Sequence, residues 1–282
     1  MIDIDFLRGW IGKEEVVLRR ASADLEARFQ ALFDRDPAAL PQFVFPLSHW
    51  LHFLPPARQS DLDADGHPRR GGFLPPVPLP RRMWAGSRVR FHAPIPIDAM
   101  MEHRSTIADV RHKSGATGDL VFVTVGHRIV VDGLTAIEDE QDIVYRTPPA
   151  PGQAAAAPLG EPVGRGDLSR AVTPDPVMLF RHSALMFNGH RIHYDRDYAR
   201  DVEGYAGLVI QGPLVAAMLL DHFLAAAPGK RPARFAFRAQ RPLLDTAHFE
   251  VCLAWTENGA RLWTRDADGQ ATMTAEVEIA EA

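Results

Sequence analysis

The chain has 282 residues, 46% of them hydrophobic and 24% charged, and a formal net charge of −5. That composition excludes disorder over the whole length and leaves a globular chain with one large core or two modest ones. The acidic balance argues against a general nucleic-acid binder, and a single cysteine, Cys252, excludes an internal disulfide.

The opening, MIDIDFLRGWIGKEEVVLRR, has no continuous apolar stretch with a small-residue cleavage site. The longest apolar run, Gly207 to Pro228, is interrupted by Gln211, Asp221 and His222. A cytoplasmic protein without a membrane span is expected. Leu25, Phe29, Leu32 and Phe33 follow i, i+4, i+7, i+8 spacing and predict an amphipathic helix with one face inward. FPLSHWLHFL, from Phe45, predicts a longer apolar core helix with Pro46 at its first position, where a missing N–H costs nothing. The segment from Pro55 to Pro80 is too polar and too rich in Pro and Gly for core, and reads as a lid or pocket rim, with a passive surface loop as the alternative. Its neighbourhood carries the basic cluster Arg69, Arg70, Arg81 and Arg82, read as solvated, with contact to phosphates as the alternative. Strands follow from RVRFHAPIPID at Arg88, with period-2 alternation and hairpin turns.

Pro, Ala and Gly then replace the patterned residues between Thr147 and Gly164, a linker signal. Beyond it the order of elements repeats. Val177, Phe180, Ala184 and Leu185 predict a second amphipathic helix facing inward, and GPLVAAMLLDHFL a core helix opening at Gly212 and Pro213. RFAFRAQRPLLD, from Arg234, matches the earlier strand opening. Phe249, Val251, Leu253 and Trp255 alternate with polar or small residues, Asn258-Gly259 and Asp268-Gly269 turn the chain, and Met273, Ala275, Val277 and Ile279 alternate again. A helix followed by a curved antiparallel sheet, given twice, predicts an α+β double hot dog, two antiparallel sheets each wrapped around a long central helix. The expected organisation is an N-terminal repeat over 1–146, a linker over 147–170 and a C-terminal repeat over 171–282.

FRHSALMFNGHRIHYD followed by GLVIQGPLVAAMLLD resembles the MaoC-like family of double hot dog enoyl-CoA hydratases and 3-hydroxyacyl-thioester dehydratases, over essentially the whole chain. It is similar above all to the branch with mesaconyl-CoA-type (3-methylfumaryl-CoA) hydratases and mitochondrial-type hydroxyacyl-ACP dehydratases. That branch carries Asn-Gly-His-x-Ile-His-Tyr-Asp where the broader family has Asp-x-Asn-Pro-x-His. The resemblance implies a hydro-lyase acting on a short acyl thioester, with His193 as catalytic histidine, Gly212 as the oxyanion-binding glycine at a helix start, and Asn188 where the broader family has its catalytic aspartate. An asparagine orients water but takes no proton. His193 is then the principal acid/base, with His190 and Asp195 as candidate assistants and Asp195 as a candidate partner for its tautomer.

Hydration needs a base for water, an acid for the α carbon and donors for the developing enolate oxygen, and an imidazole beside a helix N-terminus supplies these. The first half has no histidine before Pro46 to match His193, so one site per chain is expected, with the first half shaping the acyl pocket. A dicarboxylic substrate needs a cation, for which Arg191 is the first candidate, followed by Arg238 and Arg241. Three histidines, His182, His190 and His193, prompt a metal reading, but their spacing matches no common zinc motif, and no metal or other cofactor is expected. The substrate is then an acyl-CoA ester, as in itaconyl-CoA or mesaconyl-CoA hydratases. The alternatives are a 3-hydroxyacyl-ACP dehydratase meeting an acyl carrier protein and, lower, a thioester-binding or thioesterase-like protein without hydratase activity. Neither a nucleic-acid nor a membrane partner is expected, and a homodimer is compatible with the fold.

Overall fold

The computed structural model describes residues 2–54, 56–115, 118–147 and 161–280. In chain order the elements are α1 (Ile4–Arg8), β1 (Glu14–Arg20), α2 (Ala23–Leu32), β2 (Arg81–Phe91), β3 (Met100–Gly115), β4 (Gly118–Val131) and β5 (Leu134–Arg146), then β6 (Leu168–Val172), α3 (Pro176–Leu185), α4 (Arg196–Asp201), α5 (Gly212–Ala226), β7 (Pro232–Ala239), β8 (Phe249–Thr256), β9 (Gly259–Arg265) and β10 (Ala271–Ile279). All the strands join one sheet in the order β1-β3-β4-β5-β2-β7-β10-β9-β8-β6. The order reads alike from either end, first strand outermost and second strand at the seam, so each half has the same topology. The seam is the antiparallel pairing of β2 with β7, from Gly86 opposite Arg238 to Arg90 opposite Arg234. This is the expected double hot dog, with its two sheets fused edge to edge.

The second half is the regular one. Helix α5 buries Leu214 through Asp221 without a break, as a helix apolar on nearly all sides must. Met273, Ala275 and Val277 of β10 and Phe249, Val251 and Leu253 of β8 supply the strand side of the same core. A tight turn at Glu257 and Asn258 joins β8 to β9, with Gly259 already paired to Thr256. Cys252 is fully buried, and burial pushes its thiol up to about 11, an inert group. No helix among the described residues is long and apolar enough to cross a membrane.

Three expectations need correction. The apolar stretch from Phe45 forms only a 3₁₀ turn, Ser48–Leu51, although Phe45, Leu47, Trp50 and Leu51 are buried as expected. Apolar content decided burial but not length. Pro55 and Pro56 follow within one turn and disfavour helix before them, and the His52 ring takes the Ser48 carbonyl at 3.1 Å and the Ser22 N–H at 3.0 Å. Helix α3 turns a different face inward: Leu179, His182 and Ser183 are buried, whereas Val177 and Phe180 are 65% and 61% exposed. Its inward stripe is partly polar, which a hydrophobic period misses. Strand β6 begins at Leu168, inside the stretch assigned to the linker, of which 148–160 lie outside the described residues.

Candidate active site

The segment before α5 and the turn carrying His193 are laced together. The Val209 N–H donates to the Ile192 carbonyl at 3.0 Å, and the Val209 carbonyl accepts from His193 Nδ1 at 2.7 Å. Donation through Nδ1 fixes the tautomer and leaves Nε2 as the free acceptor. Val209, rather than Asp195, therefore orients this ring. Burial lowers the His193 pKa, partly offset by the Val209 carbonyl and reinforced by His67, to about 4. The imidazole is neutral at pH 7 and ready to take a proton.

Gly212 opens α5 behind Gln211, whose backbone is extended at φ −62°, ψ 131° and whose side chain caps nothing. Pro213 has no N–H, and the Gly212 N–H takes no backbone carbonyl among the described residues. Outside its own helix and chain neighbours, a Cβ at this position would meet nothing closer than the Trp84 carbonyl at 3.9 Å. Glycine here leaves free volume over a helix N-terminus, beside an unclaimed donor.

Asn188 follows Phe187, which sits in the left-handed region at φ 44° as the chain leaves α3. Its Oδ1 accepts the His190 N–H at 3.0 Å, closing an Asx turn, so the side-chain oxygen is already committed. Asp195 caps α4 by accepting the Tyr198 N–H at 3.0 Å and pairs with Arg191 at 2.8 Å; it does not reach His193. The His190 ring packs edge-on to His193 at 5.3 Å and lies 4.0 Å from the ring of His67.

His67 and Asp65 were missed from the sequence. Both lie in the Pro55–Pro80 segment, which is a cavity wall rather than a passive loop. Asp65 accepts the His67 N–H at 2.9 Å and its Nδ1 at 3.0 Å. Burial would raise the Asp65 carboxyl, but the bonds and charge of His67 outweigh it and hold it well below the usual carboxylate range. The available signal was the insertion itself: about 20 residues present in the first half and absent from the second, with a histidine among glycines and prolines. Asp65, His67 and His190 bring one polar atom each within 4.8 Å of one another. Asp65 and His67 Nδ1 are bonded to each other, so the group is a hydrogen-bonded dyad beside a second ring. His182, from the sequence trio, is buried on α3, and burial followed by His193 lowers it to about 3.

His67, Asn188, His190, His193 and Gly212 line one cavity of about 1110 Å³, large for a short acyl chain and shared with the first half. Of the arginines expected to meet substrate, Arg191 is spent on Asp195, the Ala64 carbonyl and the Tyr198 ring, Arg238 is exposed on β7 away from the cavity, and only Arg241 faces it, paired with Asp266 at 3.3 Å. The basic cluster read as solvated is exposed only at Arg69; Arg70, Arg81 and Arg82 are half-buried and line the cavity with it, joined by Arg146. Arg81 pairs with Glu203 and Arg70 holds the Val77 carbonyl at 2.8 Å, whereas the exposed Arg69 and the half-buried Arg82 and Arg146 form no ion pair among the described residues. The far wall carries a second polar group, in which Trp50 Nε1 and Gln141 Nε2 each donate to Asp139 at 2.7 Å, with Ser87 bonded to the other oxygen and His49 Nε2 at 3.6 Å.

Residues 47–245 match the family described as "Hydroxyacyl-thioester dehydratase type 2". The chain is 48% identical over 235 residues to the mesaconyl-C(4)-CoA hydratase of Chloroflexus aurantiacus, covering 83% of each. It is 29% identical over 244 residues to the mitochondrial hydroxyacyl-thioester dehydratase type 2 of Schizosaccharomyces pombe, covering 77% of this chain and 79% of that one. Among solved structures, a MaoC-like dehydratase shares the fold with a TM-score of 0.72 at 15% identity, covering 98% of this chain and 100% of the other. The chain belongs to the hydroxyacyl-thioester dehydratase type 2 family.

Proposed function

We propose that this chain adds water to the α,β double bond of a short, methyl-branched dicarboxylic enoyl-CoA ester of the mesaconyl-C(4) kind, and catalyses the reverse dehydration. The observation that carries the reading is the pairing of a neutral His193, Nδ1 tied and Nε2 free, with the unclaimed Gly212 N–H at the start of a buried helix. His193 Nε2 takes a proton from water as the oxygen bonds to the β carbon. The electron pair of the double bond moves toward the thioester oxygen, which the Gly212 N–H and the positive end of α5 hold. The imidazolium then returns the proton to the α carbon, so the atoms of one water are added and no further donor is needed.

Identity with the Chloroflexus enzyme supports the CoA ester and its second carboxylate, and Arg82 and Arg146 are cavity cations free to meet that carboxylate. The test follows loss of enoyl-thioester absorbance with mesaconyl-C(4)-CoA and crotonyl-CoA, for the wild type and His193→Ala. Faster hydration of the dicarboxylic ester, abolished in His193→Ala, is the expected result. A preference for crotonyl-CoA removes the dicarboxylic assignment, and activity confined to a carrier-protein thioester moves the substrate from CoA to carrier.

A further inference from the structure

Asn188 stands where the broader family carries a catalytic aspartate, and its Oδ1 is committed to the His190 N–H at 3.0 Å. An amide takes no proton, so the place of that aspartate beside the attacking water is open to a second acceptor. The same cavity presents the His67 imidazole from the other half of the chain, bonded to the Asp65 carboxylate. We propose that His67, oriented by Asp65, is that group: its Nε2 accepts one O–H of the attacking water while His193 Nε2 accepts the other. The inference rests on the hydratase reading of His193 and Gly212.

Two hydrogen bonds fix the imidazole, from the His67 N–H to Asp65 Oδ1 at 2.9 Å and between Nδ1 and Oδ2 at 3.0 Å. An ionised carboxylate only accepts, so Nδ1 must carry the proton and Nε2 the lone pair. His193 is arranged likewise, with the Val209 carbonyl in place of the carboxylate. Water has two O–H bonds to give and, held by two acceptors, keeps its oxygen lone pairs for the β carbon. Burial pushes the His67 pKa down, Asp65 pulls it partly back, and Arg82 and Arg70 push it down again, which keeps Nε2 an acceptor.

The loop is held against the motif for this purpose. The Arg191 N–H donates to the Asp65 carbonyl at 2.9 Å, and the Arg191 guanidinium reaches the Ala64 carbonyl at 3.2 Å. Gly66, at φ 89°, abuts Gly189 so closely that a Cβ on Gly66 would lie 1.8 Å from the Gly189 carbonyl oxygen. Only a glycine lets the loop touch the motif there, and the contact places His67 on His190, ring centroids 4.0 Å apart.

The test compares Asp65→Asn, His67→Ala, the double variant and His193→Ala with the wild type, on the CoA ester that the wild type hydrates fastest, before and after dialysis against a chelator. An asparagine at 65 still accepts the His67 N–H but offers Nδ1 a donor, which moves the ring proton to Nε2 and blocks acceptance. Asp65→Asn should lower kcat by about 10²-fold with KM within about threefold, and ¹⁵N ring shifts should show the exchange of the protonated nitrogen. His67→Ala should lose a similar factor and the double variant little more, because the pair acts as a unit; it also carries the test if Asp65→Asn does not fold. A fall in kcat below about threefold, a change confined to KM, or activity removed by the chelator and restored by zinc overturns the proposal. Activity surviving in His193→Ala instead overturns the hydratase reading on which it rests, so the two failures are distinguishable.

Discussion

Two buried polar groups face one cavity, and they differ in what they leave unclaimed. Around Asp139 in the first half, Trp50, Ser87 and Gln141 donate to the carboxylate and His49 stands beside it, so the charge is fully met by protein. Around His193 in the second half, each ring or backbone group has one tie and one free end: Nδ1 is bound and Nε2 is not, and the Gly212 carbonyl side belongs to a helix while its N–H does not. The first arrangement holds a wall in place, and the second keeps capacity for a substrate. The helices follow the same division. The second half keeps a 15-residue α5, while its counterpart has shrunk to a 3₁₀ turn, which gives the cavity its room.

Acid should strain both regions and is the largest effect expected. Burial lowers His103 and His182 to about 3 and His193 to about 4, so the folded chain leaves them neutral while unfolded imidazoles bind protons near pH 6.5. Their folded pKa values are depressed, so stability is full above about pH 6.5 and lost as pH falls toward those values. Each such histidine contributes about 1.4 kcal/mol per pH unit, and three give about 4 kcal/mol per unit. Urea midpoints at pH 7.5 and 5.5 measure this. A flat result would mean that the imidazoles titrate in the fold as they do in the unfolded chain, and burial would not be what keeps His193 neutral.

Asp139→Ala attacks the first region alone. It strands three donors around a buried void and should cost about 3–5 kcal/mol, read as a shifted urea midpoint at pH 7.5, with turnover per folded molecule largely kept. If turnover is lost without stability, Asp139 belongs with the chemistry and the division between the two regions fails. Burial alone would raise this carboxyl, and the charges and donors around it, His49 first, bring it to about 2.

Gly212→Pro attacks the second region alone. Gln211 already has the extended backbone that precedes a proline, and a first helical position tolerates one, so what is removed is the N–H. Turnover should fall by about 10² to 10³, or about 2.7–4 kcal/mol of transition-state stabilisation, with KM little changed. Gly212→Ala keeps the donor, and its Cβ would sit 3.9 Å from the Trp84 carbonyl, so it should cost far less. Equal losses in the two variants would make free volume, not the donor, the reason for glycine.

These regions were unequally legible in the sequence. Repeated element order and the proline-opened helix led to the double hot dog, because periodicity and turn chemistry are local, while His193 and Gly212 were singled out by the resemblance of the Asn-Gly-His motif to the MaoC-like family. The dyad was not legible: Asp65 and His67 reach the site through a backbone contact between Gly66 and Gly189, more than a hundred residues apart, and no local pattern encodes that. The arginines misled for the same reason. Arg191 lies nearest the motif in sequence, yet its neighbour one helical turn on, Asp195, neutralises it. Arg82 sits in a basic run that looks like a solvated edge but is folded inward by the pairing of β2 with β5.

Arg82→Gln is the mildest change and bears most directly on substrate. Arg82 lines the cavity on β2 opposite Tyr145, makes no ion pair among the described residues, and its charge reaches both His67 and His190. A cation so placed is costly to leave unpaired in a cavity wall, and a carboxylate arriving with the substrate relieves that cost. Losing one charge-assisted bond is worth about 1.5–3 kcal/mol, so KM for a dicarboxylic ester should rise by about 10- to 100-fold, while KM for crotonyl-CoA, which has no second carboxylate, should stay within about twofold. Equal increases for both esters would place Arg82 on the CoA portion common to them, and the distal carboxylate would then fall to Arg146, another cavity arginine without an ion pair among the described residues. An unchanged KM for both would return Arg82 to the wall, and the first half would contribute shape to the pocket but no charge.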